Sequence, residues 1–192
     1  MSAALKLASY EEMLAEIAAL PEGVTGEIMG PGELRTMSRP GSLHRGSALR
    51  LTIGLASDNL QSGGTGWWIE VEAEIELPNS RLYVPDLSGW RVGEEPNFIH
   101  DNPIRVVPDW VCEILSRDTQ RADRTRKLPN YMAAGVSHAW IVDPAAQSIE
   151  VYVSLDGRPL MIATATDEPD VLLPPFDHPM DVGGLWKAGR RH

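Results

Sequence analysis

The amino-acid sequence predicts a single α/β domain in which helices flank a mixed central β-sheet. Several short segments have the two-residue period or the continuous apolar character of β-strands, and segments with helical spacing of apolar residues lie between them. No internal repeat and no linker interrupts the 192 residues. We therefore predict one domain over residues 1–192, because a chain of this length can bury a hydrophobic core.

Local signals predict an N-terminal helix and a β-hairpin. Ser9 followed by Glu12 matches a capping box, which places the start of a helix at this point. The segment Glu27 to Thr36 has the pattern of a short hairpin, and its turn is expected at Pro31-Gly32. The spacing of apolar residues predicts a second helix over Ser47 to Leu60.

Alternating and apolar segments predict the strands of the central sheet. Residues 68–77 alternate strictly between apolar and acidic side chains, as expected of a half-buried strand. A helix over residues 118–134 should end at Gly135 and be kinked at Pro129, which cannot donate a backbone hydrogen bond. The other predicted strands cover residues 81–90, 107–116, 137–142, 149–154 and 160–166, and an irregular tail is expected over residues 167–192.

The net charge of −10 argues against a nucleic-acid partner, because binding to phosphates requires lysine and arginine. The distribution of charge matters more than its sum. Residues 34–57 contain several arginines and no acidic residue, and residues 117–127 contain five basic residues against two acidic ones. These two segments predict either one basic face on an acidic protein or two solvated helix faces.

One carboxylate, Glu113, lies among apolar residues in the middle of the segment VPDWVCEILS (107–116). A buried carboxylate needs a counter-ion or a bound cation as its partner. Asp86 follows an earlier strand segment, so the two carboxylates can converge if their strands are neighbours. Such a pair fits a hard divalent cation, Mg²⁺ or Mn²⁺. Alternatively, Asp86 belongs to a turn and Glu113 pairs with a nearby arginine.

The helix that follows this strand offers a lysine close to the carboxylates. Asp123, Lys127 and Tyr131 are spaced four residues apart and therefore share one face of the helix. Lys127 can supply a cation there, either to orient or deprotonate a water molecule or to neutralise charge that develops on a phosphate. Alternatively, Lys127 is a surface residue whose methylene groups lie along the sheet.

With these segments the chain resembles the Uma-two type of restriction endonuclease, within the PD-(D/E)XK nuclease superfamily. The resemblance is carried by a tyrosine that opens the first helix, by Ser42 to His44, and by the segments GELRTMS (32–38), VPD (84–86), VCEILS (111–116) and RTRKLPNYMAAGVSHAWIVDPAAQSIEVY (124–152). It covers residues 9–155, which we take as the core of the domain. It implies a restriction-endonuclease-like core, with an N-terminal helix and a β-hairpin beside the mixed sheet.

The resemblance also implies a functional site. Asp86 and Glu113 would bind the metal together with the main-chain carbonyl of Ile114. Lys127 would replace the lysine that the superfamily usually places two residues after the glutamate, where this chain has Leu115. The catalytic set would be completed by Glu27. The candidate nucleic-acid contacts are His44, Arg45, Arg124 and Tyr131; alternatively, His44 caps the second helix.

The leading hypothesis is a Mg²⁺-dependent endonuclease that hydrolyses phosphodiester bonds of DNA in the cytoplasm. A homodimer is expected because cutting both strands needs two sites, and Trp67-Trp68 is a candidate for its interface. No membrane partner is expected, since no apolar run approaches the roughly 20 residues that span a bilayer. Cys112, the single cysteine, fits a reducing compartment. Two alternatives stay open: a catalytically silent binding or regulatory module with the nuclease fold, and a nuclease for RNA or small nucleotides.

Overall fold

A computed structural model describes residues 7–38 and 41–187 of the chain. The α-helices are α1 (Tyr10–Ala18), α2 (Ser42–Gly54), α3 (Gln120–Ala122), α4 (Leu128–Ala134) and α5 (Val182–Trp186). A π-helical turn covers Asp123–Lys127, and short 3-10 helices cover Leu60–Ser62 and Asn97–His100. The strands are β1 (Val24–Gly30), β2 (Glu33–Ser38), β3 (Trp67–Val71), β4 (Ile75–Leu77), β5 (Arg81–Tyr83), β6 (Leu87–Arg91), β7 (Trp110–Ile114), β8 (His138–Asp143), β9 (Ser148–Leu155) and β10 (Arg158–Ala165). None of the helices in these residues is long and apolar enough to cross a membrane.

The strands form two sheets that one long bent hairpin joins. The smaller sheet has the order β2-β1-β5-β4, and the larger sheet has the order β10-β9-β8-β7-β6-β3. Strands β3 and β4 follow one another in one arm of the hairpin, and β5 and β6 form the other arm, so that β3 pairs with β6 and β4 pairs with β5. The larger sheet is mixed, because β7 and β8 are parallel while its other neighbours are antiparallel. The predicted α/β class with a mixed central sheet is confirmed.

The bend in this hairpin corrects two of the predicted strands. The strand expected over residues 68–77 is divided into β3 and β4, and the strand expected over residues 81–90 is divided into β5 and β6. Glu72 adopts a positive φ of 52° at the bend, which turns the first arm out of the larger sheet. The two-residue period does not continue through such a break, so Val71, which the alternation placed in the core, is 48% exposed.

The capping box and the hairpin near the N-terminus are confirmed. The Ser9 hydroxyl accepts a hydrogen bond from the Glu12 N–H at 3.1 Å, and the Glu12 carboxylate accepts one from the Ser9 N–H at 2.7 Å. The turn between β1 and β2 lies at Pro31-Gly32, as predicted. Helix α2 begins at Ser42, five residues before the predicted start. Apolar spacing did not mark this first turn because Leu43 points into solvent.

The predicted helix over residues 118–134 is not a regular α-helix. It consists of α3, the π-helical turn and α4, and Gly135 ends it in the left-handed conformation with φ of 105°. Pro129 lies two residues after the π-helical turn, in the first turn of α4. Since proline has no N–H to donate, Pro129 cannot make the α-helical hydrogen bond to the carbonyl four residues earlier, that of Thr125, which lies in this turn. The turn carries Asp123 and Lys127, and both side chains are buried.

The C-terminal segment was predicted as an irregular tail; among residues 167–187 the structure has one short helix, α5, and no strand. Buried side chains of this segment, among them Phe176, pack on the larger sheet as part of its main hydrophobic cluster. The Phe176 ring lies 4.9 Å from Trp110, 5.0 Å from Trp67 and 5.3 Å from Trp140 between ring centroids. Trp67 is only 2% exposed, so this predicted interface residue belongs to the core. Cys112 is buried in the same cluster.

Candidate active site

Asp86 lies where the bent hairpin passes from the smaller sheet into the larger one. It directly precedes β6, and its Oδ2 accepts a hydrogen bond from the main-chain N–H of Ile114 at 2.6 Å. Ile114 follows Glu113 in β7, the neighbour of β6 in the larger sheet. Neighbouring strands therefore bring Asp86 and Glu113 to the wall of one cleft.

Glu113 is buried within β7, and its Oε1 has two partners. Lys127 Nζ lies 2.7 Å from this oxygen, and the Tyr131 hydroxyl donates a hydrogen bond to it at 2.5 Å. Both partners come from the helical segment that follows β7. The partner of Glu113 is thus a lysine and not an arginine. Lys127 is 2% exposed, so the alternative prediction that it is a surface residue is wrong.

Glu27, in the middle of β1, is the second partner of Lys127. Its side chain is fully buried, and its Oε1 accepts hydrogen bonds from Lys127 Nζ at 2.7 Å and from the Val84 N–H at 3.0 Å. Its Oε2 is buried and has no hydrogen-bond partner among the described residues. A buried carboxylate oxygen without a partner is unfavourable, so this atom marks a place for a further donor or a cation.

The three carboxylates and the lysine lie in or beside a cleft of about 430 Å³. One wall comes from β2 and the start of α2, and the other wall comes from the connection between β7 and α3. Arg35 joins the walls, because its Nη2 donates a hydrogen bond to the Asp118 carbonyl at 3.1 Å. Its Nη1 is buried and has no partner in the part of the chain that the structure describes. Two basic segments distant in the sequence, 34–57 and 117–127, thus border the same cleft.

Burial governs the charges in this cleft. It raises the pKa of Glu113 well above its usual range; Lys127 lowers this pKa, and Asp123 and Asp86 raise it again. Burial lowers the pKa of Lys127, but the charges of Glu113 and Glu27 outweigh burial and raise it. Lys127 is therefore an ammonium ion at neutral pH. A single ammonium offsets only part of the negative charge of these carboxylates.

The donor set of the cleft fits a hard divalent cation. Carboxylate oxygens are the preferred ligands of such ions, and no hydrogen bond from a described residue reaches Glu27 Oε2 or Glu113 Oε2. No group of three or more His, Cys, Asp or Glu side chains is gathered around one point in residues 7–38 and 41–187. A cation would therefore take one or two carboxylates and keep several waters, which is the usual coordination of Mg²⁺.

His44 contacts a carboxylate of the site. Its Nε2 lies 2.9 Å from Asp86 Oδ1, and the side chain lines the cleft. Burial lowers the pKa of His44, but the hydrogen bond and the charge of Asp86 outweigh burial, so the pKa is raised. His44 does not cap α2, whose N-cap residue is Gly41. Arg45 follows His44 on α2 and is exposed.

Two other candidate nucleic-acid contacts lie elsewhere. Arg124 forms an ion pair with Glu150 of β9 and is not part of the cleft wall. Tyr131 is 1% exposed, and its hydroxyl is engaged by Glu113, so it is placed to orient this carboxylate and not to touch a nucleic acid. Burial raises the pKa of Tyr131 well above its usual range, which keeps the hydroxyl protonated as a donor.

The structure adds one carboxylate to the predicted set. Asp123 is 2% exposed, lines the cleft and has its pKa raised by burial. Its spacing from Lys127 signalled a shared helix face, but its burial depends on the π-helical turn, which the sequence did not predict.

Asp109, in a second Pro-Asp pair, lies at the opposite end of β7 from Ile114. Its Oδ2 accepts a hydrogen bond from the Arg91 N–H at 2.8 Å.

Comparison with known proteins agrees with this architecture. Among solved structures, a crystal structure titled "putative nuclease belonging to DUF820 from Anabaena variabilis ATCC 29413" superposes with a TM-score of 0.70. The alignment covers 94% of this chain and 99% of that chain at 21% identity, so the likeness concerns the fold. No curated protein matches the chain significantly. Residues 10–179 match the family described as "Putative restriction endonuclease", so the chain belongs to the Uma2 family.

Proposed function

We propose that this chain is an endonuclease that hydrolyses phosphodiester bonds of DNA and depends on Mg²⁺ or Mn²⁺. The observation that carries the proposal is the contact of Glu27 and Glu113 with one buried lysine, Lys127, in a cleft that Asp86 also lines and that both basic segments border. Family membership supports a nuclease, and the charge distribution supports a polyanionic substrate.

The residues proposed to hold the cation are Asp86, Glu113 and the carbonyl of Ile114. When bound there, the cation would activate a water molecule and stabilise negative charge on the scissile phosphate. The chain's own contacts prepare these ligands. The Ile114 N–H holds Asp86 Oδ2, and the pair of donors on Glu113 Oε1 leaves Oε2 free of protein partners.

Lys127 has the role of a fixed positive charge. Its raised pKa makes it a poor base, so its proposed role is to orient the attacking water and to stabilise the phosphate charge. Glu27 and Glu113 each take one N–H of its ammonium group at 2.7 Å, which leaves one N–H available. Glu27 is therefore a positioning residue that fixes the ammonium between β1 and β7.

Arg35 supports a phosphate-bearing substrate at the same cleft. Its Nη1 is a buried donor without a partner among the described residues, and a phosphate oxygen would satisfy it. Arg45 extends the basic wall along α2, and Arg117 and Arg121 are exposed beside the opposite wall. Nucleic-acid backbone can thus approach an acidic centre between basic walls, despite the net charge of −10.

We further propose that the protein acts as a homodimer in the cytoplasm. Cleavage of both DNA strands requires two sites, and a two-fold axis relates them in the same way as it relates the strands of a duplex. The buried single cysteine is compatible with a reducing compartment.

Isothermal calorimetry with Mg²⁺ and Mn²⁺, combined with plasmid nicking on the same preparations, tests the proposed function. Asp86→Asn and Glu113→Gln should each abolish nicking and weaken metal binding. Asp109→Asn is the matched control, because Asp109 is an exposed Pro-Asp carboxylate outside the cleft, and it should behave like wild type. A folded wild type that binds DNA, but that neither binds metal nor cleaves DNA, would refute the proposal and identify a binding module instead.

A further inference from the structure

The two edge strands of the larger sheet, β3 and β10, differ in how they are protected from pairing with another strand. At the β3 edge, the Asn59 side chain accepts a hydrogen bond from the Ile69 N–H at 3.3 Å. The Gln61 side chain donates one to the Ile69 carbonyl at 2.7 Å, and Glu70 adds a charge beside it. Unpaired outward backbone groups invite pairing with another strand, so side chains that bond them and a charge beside them protect the edge. The β3 edge is therefore protected from pairing with a further strand.

The β10 edge has no such side-chain caps; its irregularities are Pro159 and a register shift between Met161 and Ala163. Strand β10 pairs with β9 alone, and no hydrogen bond from another described residue reaches its outer edge. Leu160, Met161 and Ile162 are 46%, 52% and 45% exposed. No acidic residue or lysine occurs in its eight residues, and Pro159 removes only one N–H near its start. A long apolar edge of this kind is a template for another strand.

The charges at the two ends of β10 select the partner. Arg158 begins the strand, is exposed, and has no ion-pair partner in the described part of the chain. Asp167 lies two residues past its end and is exposed. Antiparallel pairing of two identical strands about a two-fold axis brings the basic end of each strand to the acidic end of the other, whereas parallel pairing brings like charges together.

We propose that β10 is the dimer interface, where it pairs antiparallel with β10 of a second copy and joins the two larger sheets into one continuous sheet. Arg158 of each copy lies opposite the acidic segment that begins at Asp167 of the other. This surface also avoids the repulsion expected between two chains of charge −10, because the strand itself carries no acidic group.

Sedimentation velocity without metal or DNA tests the interface separately from the proposed activity. Wild type should be dimeric at about 10 μM, and Met161→Glu should raise the dimer Kd at least about tenfold because it buries an unpaired carboxylate. Ile53→Glu is the matched control: Ile53 is 65% exposed on α2, and the same charge is added there. A monomeric wild type would overturn the proposal, and so would a dimer that Ile53→Glu dissociates and Met161→Glu does not.

Charge reversal tests the antiparallel register. Arg158→Glu should weaken the dimer several-fold, because it places acidic groups opposite each other. Adding Asp167→Arg to the same chain restores opposite charges across the axis and should restore most of the affinity. If the double variant is weaker than Arg158→Glu, the two residues do not face each other, and the antiparallel arrangement is wrong. Circular dichroism of each variant verifies that the fold is retained.

Discussion

Lys127 Nζ lies 2.7 Å from Glu113 Oε1 in the interior of the protein, and the same ammonium lies 2.7 Å from Glu27 Oε1. These three residues come from the π-helical turn, the larger sheet and the smaller sheet. Because each side chain is at most 5% exposed, water compensates poorly for the loss of any one of these partners. The ion contacts therefore tie the docking of the N-terminal hairpin to the formation of the site.

Lys127→Met should destabilise the protein by about 3–5 kcal/mol, because it leaves two buried carboxylates without their counter-ion. Urea denaturation at neutral pH measures this loss. Lys187→Met is the control: Lys187 is 76% exposed, so its replacement should change the free energy of unfolding by less than about 0.5 kcal/mol. Equal stability of wild type and Lys127→Met would contradict the buried ion contacts.

Features that depend on neighbouring residues could be predicted from the sequence. The capping box at Ser9 and the turn at Pro31-Gly32 are determined by side chains within a few residues of each other. Gly135 ends its helix for the same kind of reason. The burial of Glu113 also followed from a local pattern, the run of apolar residues around it.

Several features that depend on distant residues could not be predicted, although the resemblance to a known family pointed to Asp86, Glu113, Lys127 and Glu27 as one site. The alternation of residues 68–77 is the same whether the segment forms one strand or passes between two sheets, and only pairing with the other arm of the hairpin reveals the bend. The contact of His44 with Asp86 joins residues of separate elements. The ion pair of Arg124 with Glu150, which removes this arginine from the cleft, is equally non-local.

Tyr131→Phe should lower the free energy of unfolding by about 1.5–3 kcal/mol, since it removes a buried hydrogen bond to a charged group. It should also weaken Mg²⁺ binding, because Glu113 loses one of the two donors that orient it. Denaturation and calorimetry measure the two effects. Tyr152→Phe removes a hydroxyl that bonds Glu150 at 2.8 Å in a half-buried site, so its effects should be smaller and confined to stability. Unchanged metal affinity in Tyr131→Phe would exclude the orienting role.

Asp123→Asn should stabilise the protein by about 0.5–2 kcal/mol at neutral pH, the usual size of a single stabilising substitution. Burial raises the pKa of Asp123 in the folded state, so the folded protein binds this proton more tightly than the unfolded chain does. The free energy of unfolding of the wild type therefore falls as the pH rises from the pKa of Asp123 in the unfolded chain through its pKa in the folded protein. Since asparagine does not titrate, the advantage of the variant should be small near pH 3 and largest above the folded pKa of Asp123. Thermal denaturation across this range measures it, and a constant difference would contradict the pKa shift.

Arg35→Ala should weaken DNA binding by about tenfold and reduce the salt dependence of binding by about one phosphate contact. Its buried Nη1 lacks a partner among the described residues, and its side chain lines the same cleft as Asp86 and Glu113. Fluorescence anisotropy over a range of salt concentrations, without divalent metal, measures both quantities apart from cleavage. Arg105→Ala is the control, because Arg105 is 63% exposed, pairs with Glu76 and is not part of the cleft wall. If Arg35→Ala lowers affinity but leaves the salt slope unchanged, Arg35 braces the cleft walls through Asp118 and does not contact phosphate.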